Sequence, residues 1–295
     1  MTTSRTLADA QPHASRRGQL RRALNRLSLY LALFLFLFIV LSPFFWIVKS
    51  ALSRPDQLFK IPPVYIPDVT FDNFRTLADQ VPLLEYVRNS MVISTATALV
   101  SVGTAFLAAY AFARISVPGR NVLLWLLVLT MALPEIATVV PLYRLLASAH
   151  MLDTRTGLVI VMGSVLVPFT VWVLVAFIQQ VPYEIEEAAI IDGANLFQIM
   201  IRIMLPLTSP ALATMLVINF INAWNNLLFP LAFSATAKSK TLSVAITEIF
   251  QARAPWGRPW NLVSTLGVTM VLPAIILVLF SQKAIVRGLT RGAIK

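Results

Sequence analysis

Glu187 to Pro206, EAAIIDGANLFQIMIRIMLP, is a polar-bounded stretch between two apolar runs, each long enough to cross a bilayer. Pro182 suits a first helical turn, where a missing N–H is no loss, and Glu184, Glu186 and Glu187 place negative charge at the positive end of a helix dipole. A short helix is therefore predicted here. Ile185, Ala188 and Ala189 fall at three- and four-residue spacing on an apolar face, and Gly193 supplies the permissive backbone on which helices commonly end. Asn195 with Gln198 three residues on reads as the capping box of a second helix, and Pro206 marks the boundary with the next span. Small Ala188 and Ala189 on one face would let another protein come close, with Glu184, Glu187 and Asp192 as pairing sites for its Arg or Lys. The same residues also suit an amphipathic loop packed under its own bundle.

Composition places this loop in a membrane protein. Of the 295 residues 58% are hydrophobic and 13% charged, and the mean hydropathy of +0.77 is far too high for a soluble domain of this length. The formal charge of +11 gathers in an arginine-rich N-terminal tail and near the C-terminus, beside apolar spans. That is the pattern of attachment to lipid rather than to nucleic acid. The chain has no cysteine, so thiolate metal sites and disulfides are excluded, and neither His13 nor His150 has a metal-ligand partner at useful spacing.

The expected fold is all-α, with about six transmembrane helices and a cytoplasmic helix, glycine, helix loop. Residues 1–27 form a basic cytoplasmic tail. Ser15-Arg16-Arg17 faintly resembles a twin-arginine signal, but the apolar run Leu27 to Val48 is long, no small-residue cleavage site follows, and an uncleaved first span is expected. Residues 28–84 comprise this span and an external loop with Pro62, Pro63 and Pro67. Residues 85–284 form the core, with spans near Met91–Ala113, Val122–Leu142, Leu158–Ile178, Ala211–Phe233 and Leu262–Phe280 around a loop at 182–206, and 285–295 are a cytoplasmic tail. The second span is rich in small residues, Gly103 among them, which permit close helix packing. Pro168 is expected to break the fourth. Arg114–Arg120, RISVPGR, is a tight basic turn. Lys and Arg are nearly balanced between the two sides, so the orientation rests on the dense cluster Arg16, Arg17, Arg21, Arg22 and Arg26, which keeps the N-terminus inside.

Glu187-Ala188-Ala189, three residues, Gly193, nine residues, Ile203-x-Leu205-Pro206 resembles the signature loop of ABC importer membrane subunits. Asn89-Ser90, Pro141-Leu142-Tyr143, Leu152-Asp153-Thr154 with Gly157, Pro168-Phe169 with Trp172, Ala223-Trp224-Asn225 with Phe229, and Gly288-Leu289-Thr290 with Gly292-Ala293 resemble the carbohydrate, maltose-type branch of these permeases. The resemblance implies a permease of the bacterial inner membrane, with both termini cytoplasmic, importing a sugar, oligosaccharide or polyol-like solute. It implies a second homologous permease, two ATP-binding cassette subunits seated on the loop, and an external solute-binding protein. Glu135, where an apolar residue would follow Pro134, departs from the pattern.

No Gly-x-x-x-x-Gly-Lys stretch and no catalytic set occurs. The chain is expected to be no enzyme and to bind no cofactor, with ATP and Mg²⁺ on partner subunits. Asn219, Asn222 and Asn226 fall on one helical stripe beside Trp224, and amides in hydrocarbon need partners. They suit a hydroxyl-rich substrate path with Trp224 as anchor, or interhelical hydrogen bonding, or contact with the second permease. Glu135 is an intramembrane carboxylate beside a proline: a functional site, or an end-of-span residue reaching the interface. The alternatives are ABC import of another small polar solute such as glycerol phosphate, and an ion-coupled secondary carrier using Glu135.

Overall fold

The structure, a computed structural model, describes residues 16–116, 118–251 and 258–293, with side chains over 24–116, 118–251 and 258–282. The first fifteen residues of the basic tail with His13, residue 117, residues 252–257 with Arg253 of the external segment, and the last two residues lie outside these. Every regular element among the described residues is helical. The chain divides into two compact units, residues 1–49 and 50–295. The first is dominated by α1 (Arg16–Ala51), whose part from Leu24 onward has a mean hydropathy of 2.7 and is apolar on every side, as a bilayer span requires.

In the second unit follow α2 (Pro55–Leu58), α3 (Asp72–Gln80), α4 (Leu83–Arg114), α5 (Arg120–Met131), α6 (Glu135–Ser148), α7 (Arg155–Gln179), α8 (Glu184–Ile191), α9 (Leu196–Ile199), a π-helical turn (Met200–Met204), α10 (Leu205–Asn225), α11 (Leu228–Phe233), α12 (Ala245–Gln251) and α13 (Trp260–Ala293). The packing is centred on α4, which lies most extensively against α7 and then α10. Its buried stripe is Ser90, Ser94, Thr97, Ser101, Ala105 and Ala109, small residues at three- and four-residue spacing that let neighbouring helices approach. Gly103 is not among them: it is exposed, with open space where a Cβ would be.

Among the described residues five helices are long and apolar enough to span a bilayer, and α5 with α6 makes a sixth crossing if the pair counts as one. That crossing differs from the expected continuous helix over 122–142. α5 stops at Met131 and α6 restarts at Glu135 after a 100° bend. Pro134 sits at this bend, extended at φ −61° and ψ 130°, and the residue before a proline is disfavoured in helical conformation. Pro168 does the reverse of what was expected, sitting inside an unbroken α7. Pro206 likewise does not interrupt the chain: the π turn ends with Leu205 N–H donating to the Met200 carbonyl, and helix runs on from Leu196 to Asn225. The fifth span is the one that ends early. α10 stops at Asn225, Asn226 is extended (φ −66°, ψ 124°), and α11 is a separate short helix.

At the end of the bundle remote from α8, polar side chains bind the connections down. Asn89 Nδ2 donates to the carbonyls of Ala237 and Lys240 (2.7 and 2.9 Å), and Ser90 Oγ accepts from Leu242 N–H (2.7 Å). Asp153 accepts from Ala235 N–H, Thr236 N–H, Thr236 Oγ1 and Ser239 Oγ at 2.6 to 3.0 Å. The loop before α4 is also packed: buried Asn73 donates to the carbonyls of Ala51 and Ser53 and accepts from Asn261 Nδ2, each at 2.8 Å.

Candidate functional site

The loop between α7 and α10 is a helix, a glycine corner and a second helix. Gly193 has φ +83°, its N–H donates to the Ile190 carbonyl, and Ala194 N–H donates to that of Ala189. These two bonds make a Schellman cap, which asks for a left-handed residue where glycine carries no steric penalty. Asn195 Oδ1 then accepts from Gln198 N–H while Gln198 Oε1 accepts from Asn195 N–H, both at 2.9 Å. The reciprocal pair restarts the chain as a helix that continues into α10.

The register of α8 sorts its residues. Glu184, Glu187, Ala188 and Ile191 stand at i, i+3, i+4 and i+7 and are all exposed, Ile191 at 85%. Ala189 is half-buried against the core formed by α4, α7 and α10. The expectation that Ala188 and Ala189 share a face is therefore corrected: adjacent residues on a helix lie about 100° apart, and Ala188 belongs with the carboxylates. Ile185 is exposed as well. Asp192, just before the corner, is exposed; beyond the corner Leu196 and Phe197 (71%) are exposed, as are Leu205 and Pro206, while Ile199, Met200 and Met204 are buried. The loop thus both packs under its own bundle and displays a carboxylate-edged apolar surface.

Glu186 was not among the candidates, yet it is the one buried residue of α8, at 2% exposure. Its carboxylate pairs with Arg114 Nε and accepts from Tyr110 Oη at 2.8 Å. Arg114, the first residue of the basic stretch RISVPGR, ends α4 as the largely buried partner of this pair and also donates to the Val181 carbonyl (2.6 Å). The signal was present in the helix period. Glu184 and Glu187 share a face, so Glu186 had to point elsewhere, and a carboxylate turned to a bundle needs a cation.

Among the substrate-path candidates, the structure brings three together. Glu135, at the start of α6, lines a small cleft with Asn222 and Asn226, walled by Met162, Leu166 and Phe229. Asn222 donates to the Ile218 carbonyl, and Asn226 Oδ1 accepts from Phe229 N–H. The other two lie apart. Asn219 is fully buried and donates to Ser101 Oγ of α4 (2.8 Å) and Thr170 Oγ1 of α7 (2.9 Å). Trp224, 2% exposed, stacks on Phe220 and donates Nε1–H to the Met270 carbonyl of α13. Both knit helices together, and neither lines the cleft.

Among the described residues five apolar helices long enough to span a bilayer, with the bent pair α5 and α6 beside them and a polar-edged helix, glycine, helix element exposed at one end, define a polytopic membrane protein. Residues 101–291 match the family of binding-protein-dependent transport system inner membrane components, and the chain belongs to that family. It is similar to the inner membrane ABC transporter permease protein YcjP of Escherichia coli (strain K12), 32% identical over 93% of this chain and 98% of the relative. It is similar also to the trehalose/maltose transport system permease protein MalG of Thermococcus litoralis (strain ATCC 51850 / DSM 5473 / JCM 8560 / NS-C), 33% identical over 92% and 98%. In fold it matches a chain of a bacterial ABC transporter that imports the acidic polysaccharide alginate, with a TM-score of 0.75 over 92% of this chain and 99% of the other, at 22% identity. The chain is a multi-pass inner-membrane transport component, and a self-sufficient carrier built on Glu135 is set aside by that membership.

Proposed function

We propose that this chain is one membrane-spanning subunit of an ATP-driven importer for a sugar, oligosaccharide or polyol-like solute delivered by an external binding protein. The observation that carries it is the loop at 182–206: a Schellman corner at Gly193 sets two helices at a fixed angle, and the exposed Glu184, Glu187, Ala188, Asp192 and Ile191 present acid around an apolar centre. Such a surface fits a basic-rimmed groove on an ATP-binding cassette subunit. Two such subunits hold the ATP and Mg²⁺, a second homologous permease completes the pathway, and this chain binds no cofactor and catalyses nothing itself. The loop and both termini then face the cytoplasm. The carbohydrate assignment draws on the trehalose/maltose permease among the relatives. Exposed Asn222 and half-buried Asn226 beside Glu135 suit it, since amides bind hydroxyls without holding them strongly.

The test is purification of the complex from its native membrane and reconstitution in vesicles. ATPase subunits should co-purify, and hydrolysis should rise when binding protein loaded with a di- or oligosaccharide is added. Uptake of amino acids or peptides with no response to any sugar or polyol would overturn the carbohydrate assignment.

A further inference from the structure

The exposed face of α8 meets a second protein, and movement of α8 has also to reach the bundle. Its grip on the bundle is narrow. Within α8 only Glu186 is buried, and the groups that hold it come from the last turns of α4: Tyr110 and, four residues on, Arg114. Arg114 reaches past Glu186 to the Val181 carbonyl, ahead of α8, and its guanidinium lies 5.8 Å from the centre of the Tyr183 ring. The side chains of Arg114 and Glu186 are only 10% and 3% exposed. At its other end α4 carries Asn89 and Ser90, which hold the segment 237–242. A helix of 32 residues, about 48 Å long at 1.5 Å per residue, therefore runs unbroken from the anchor of α8 to the clamp at the opposite end.

We propose that Arg114, Tyr110 and Glu186 are positioning residues that couple α8 to α4, so that displacement of α8 by the ATPase moves α4 and the bundle as one body. The proposal rests on the reading of 182–206 as the ATPase-docking element. Apolar contacts such as those of Ala189 and Ala194 tolerate sliding, whereas a doubly hydrogen-bonded carboxylate in a dry site fixes direction and register. Losing the link separates hydrolysis from transport while the docking face stays intact.

The test measures solute taken up per ATP hydrolysed by the reconstituted complex. Glu186→Gln keeps shape and drops the charge; Arg114→Lys keeps the charge; Tyr110→Phe removes one hydrogen bond. Glu186→Gln is expected to co-purify with its ATPase at the wild-type ratio and to hydrolyse ATP. Its uptake per ATP should fall on the order of tenfold, as loss of a coupling free energy between two sites would give, and its response to loaded binding protein should be blunted. Arg114→Lys should retain most of the coupling and Tyr110→Phe an intermediate share. Because the chain has no cysteine, Arg114→Cys with Glu186→Cys gives a restoring experiment: uncoupled when reduced, recoupled by a short bifunctional thiol reagent. A purely structural pair would change the yield of complex and leave uptake per ATP alone, and that result overturns the proposal. So does loss of the ATPase from purified Glu186→Gln, which would make Glu186 a docking residue. Failure of the docking reading looks different, since the ATPase would then stay with a complex whose exposed loop face is reversed by Glu187→Arg with Asp192→Arg.

Discussion

Asp153 shows what one residue does at the end remote from α8. Its backbone is left-handed, φ +56°, and its carboxylate accepts four hydrogen bonds from Ala235, Thr236 and Ser239. Burial pushes the carboxyl up, but the bonds from Ser239, Thr236 and Ala235 outweigh it and hold the group at about 2. A depressed carboxyl stabilises the fold above its ordinary value, and that contribution disappears as pH falls from near 4 through about 2. Asp153→Ala should therefore lower the melting temperature of the detergent-solubilised protein at pH 7 and speed amide exchange at Ala235 and Thr236. The gap to wild type should close as pH approaches 2; an equal gap at pH 7 and pH 2 would show that the charge is not the source. Gly157, four residues on, is fixed by space: a Cβ there would collide with the Met151 carbonyl oxygen. Gly157→Ala should destabilise by about 1–3 kcal/mol, the usual range for overpacking, read from the same melts. In the sequence Leu152-Asp153-Thr154 and Gly157 were visible only as a resemblance, because the partners of Asp153 lie more than eighty residues away.

The helices and the coupling loop divide what local chemistry announces from what packing decides. The cap at Asn195 and Gln198, the corner at Gly193 and the acidic first turn of α8 are readable because each is satisfied within a few residues. The bend at Pro134 and the continuity through Pro168 look alike in sequence. At Pro134 the chain turns by 100°, whereas around Pro168 α7 is held between α4 and α10, and Thr170 Oγ1 donates to the Leu166 carbonyl within the same turn. The period of α8 separates Glu186 from Glu184 and Glu187, but which of the two faces is covered depends on where α4 lies, and that is decided by packing. For the loop as an element the expectation is plain. Gly193→Pro would force φ near −65°, against the observed +83°, and destroy the corner. Glu187→Arg with Asp192→Arg would reverse the charge of the exposed face. Each variant should insert and fold, yet lose uptake by about tenfold or more, since a change of about 1.4 kcal/mol in docking is tenfold in its equilibrium constant. Co-purification of the ATPase at wild-type yield with full solute-stimulated activity would contradict this.

At the scale of the whole molecule, orientation and pathway can each be read from single substitutions. With no native cysteine, Ile191→Cys, on a residue 85% exposed, and Lys238→Cys, on an exposed connection at the other end, report the two sides of the membrane. In intact cells an impermeant thiol reagent should label the second and spare the first; labelling of position 191 from outside would reverse the topology. The pathway turns on separating glue from path among the asparagines. Asn219 bridges α4, α7 and α10 through Ser101 and Thr170, so Asn219→Leu removes two interhelical bonds and leaves these hydroxyls only their bonds to the Ala98 and Leu166 carbonyls, at roughly 0.6–1.7 kcal/mol for each interhelical bond lost in a membrane. Losing these interhelical bonds should lower the yield of folded protein, and whatever complex survives should transport normally. Asn222, exposed on the cleft it shares with Glu135 and Asn226, bonds only within its own helix, to the Ile218 carbonyl. Asn222→Leu should leave assembly and binding-protein affinity unchanged and reduce carbohydrate uptake several-fold; Glu135→Gln, which keeps hydrogen bonding and removes the charge, should alter selectivity between neutral and charged sugars. If Asn222→Leu instead fails to assemble with the second permease, the cleft is an interface between permeases. In that case hydroxyl recognition must lie in the partner chain.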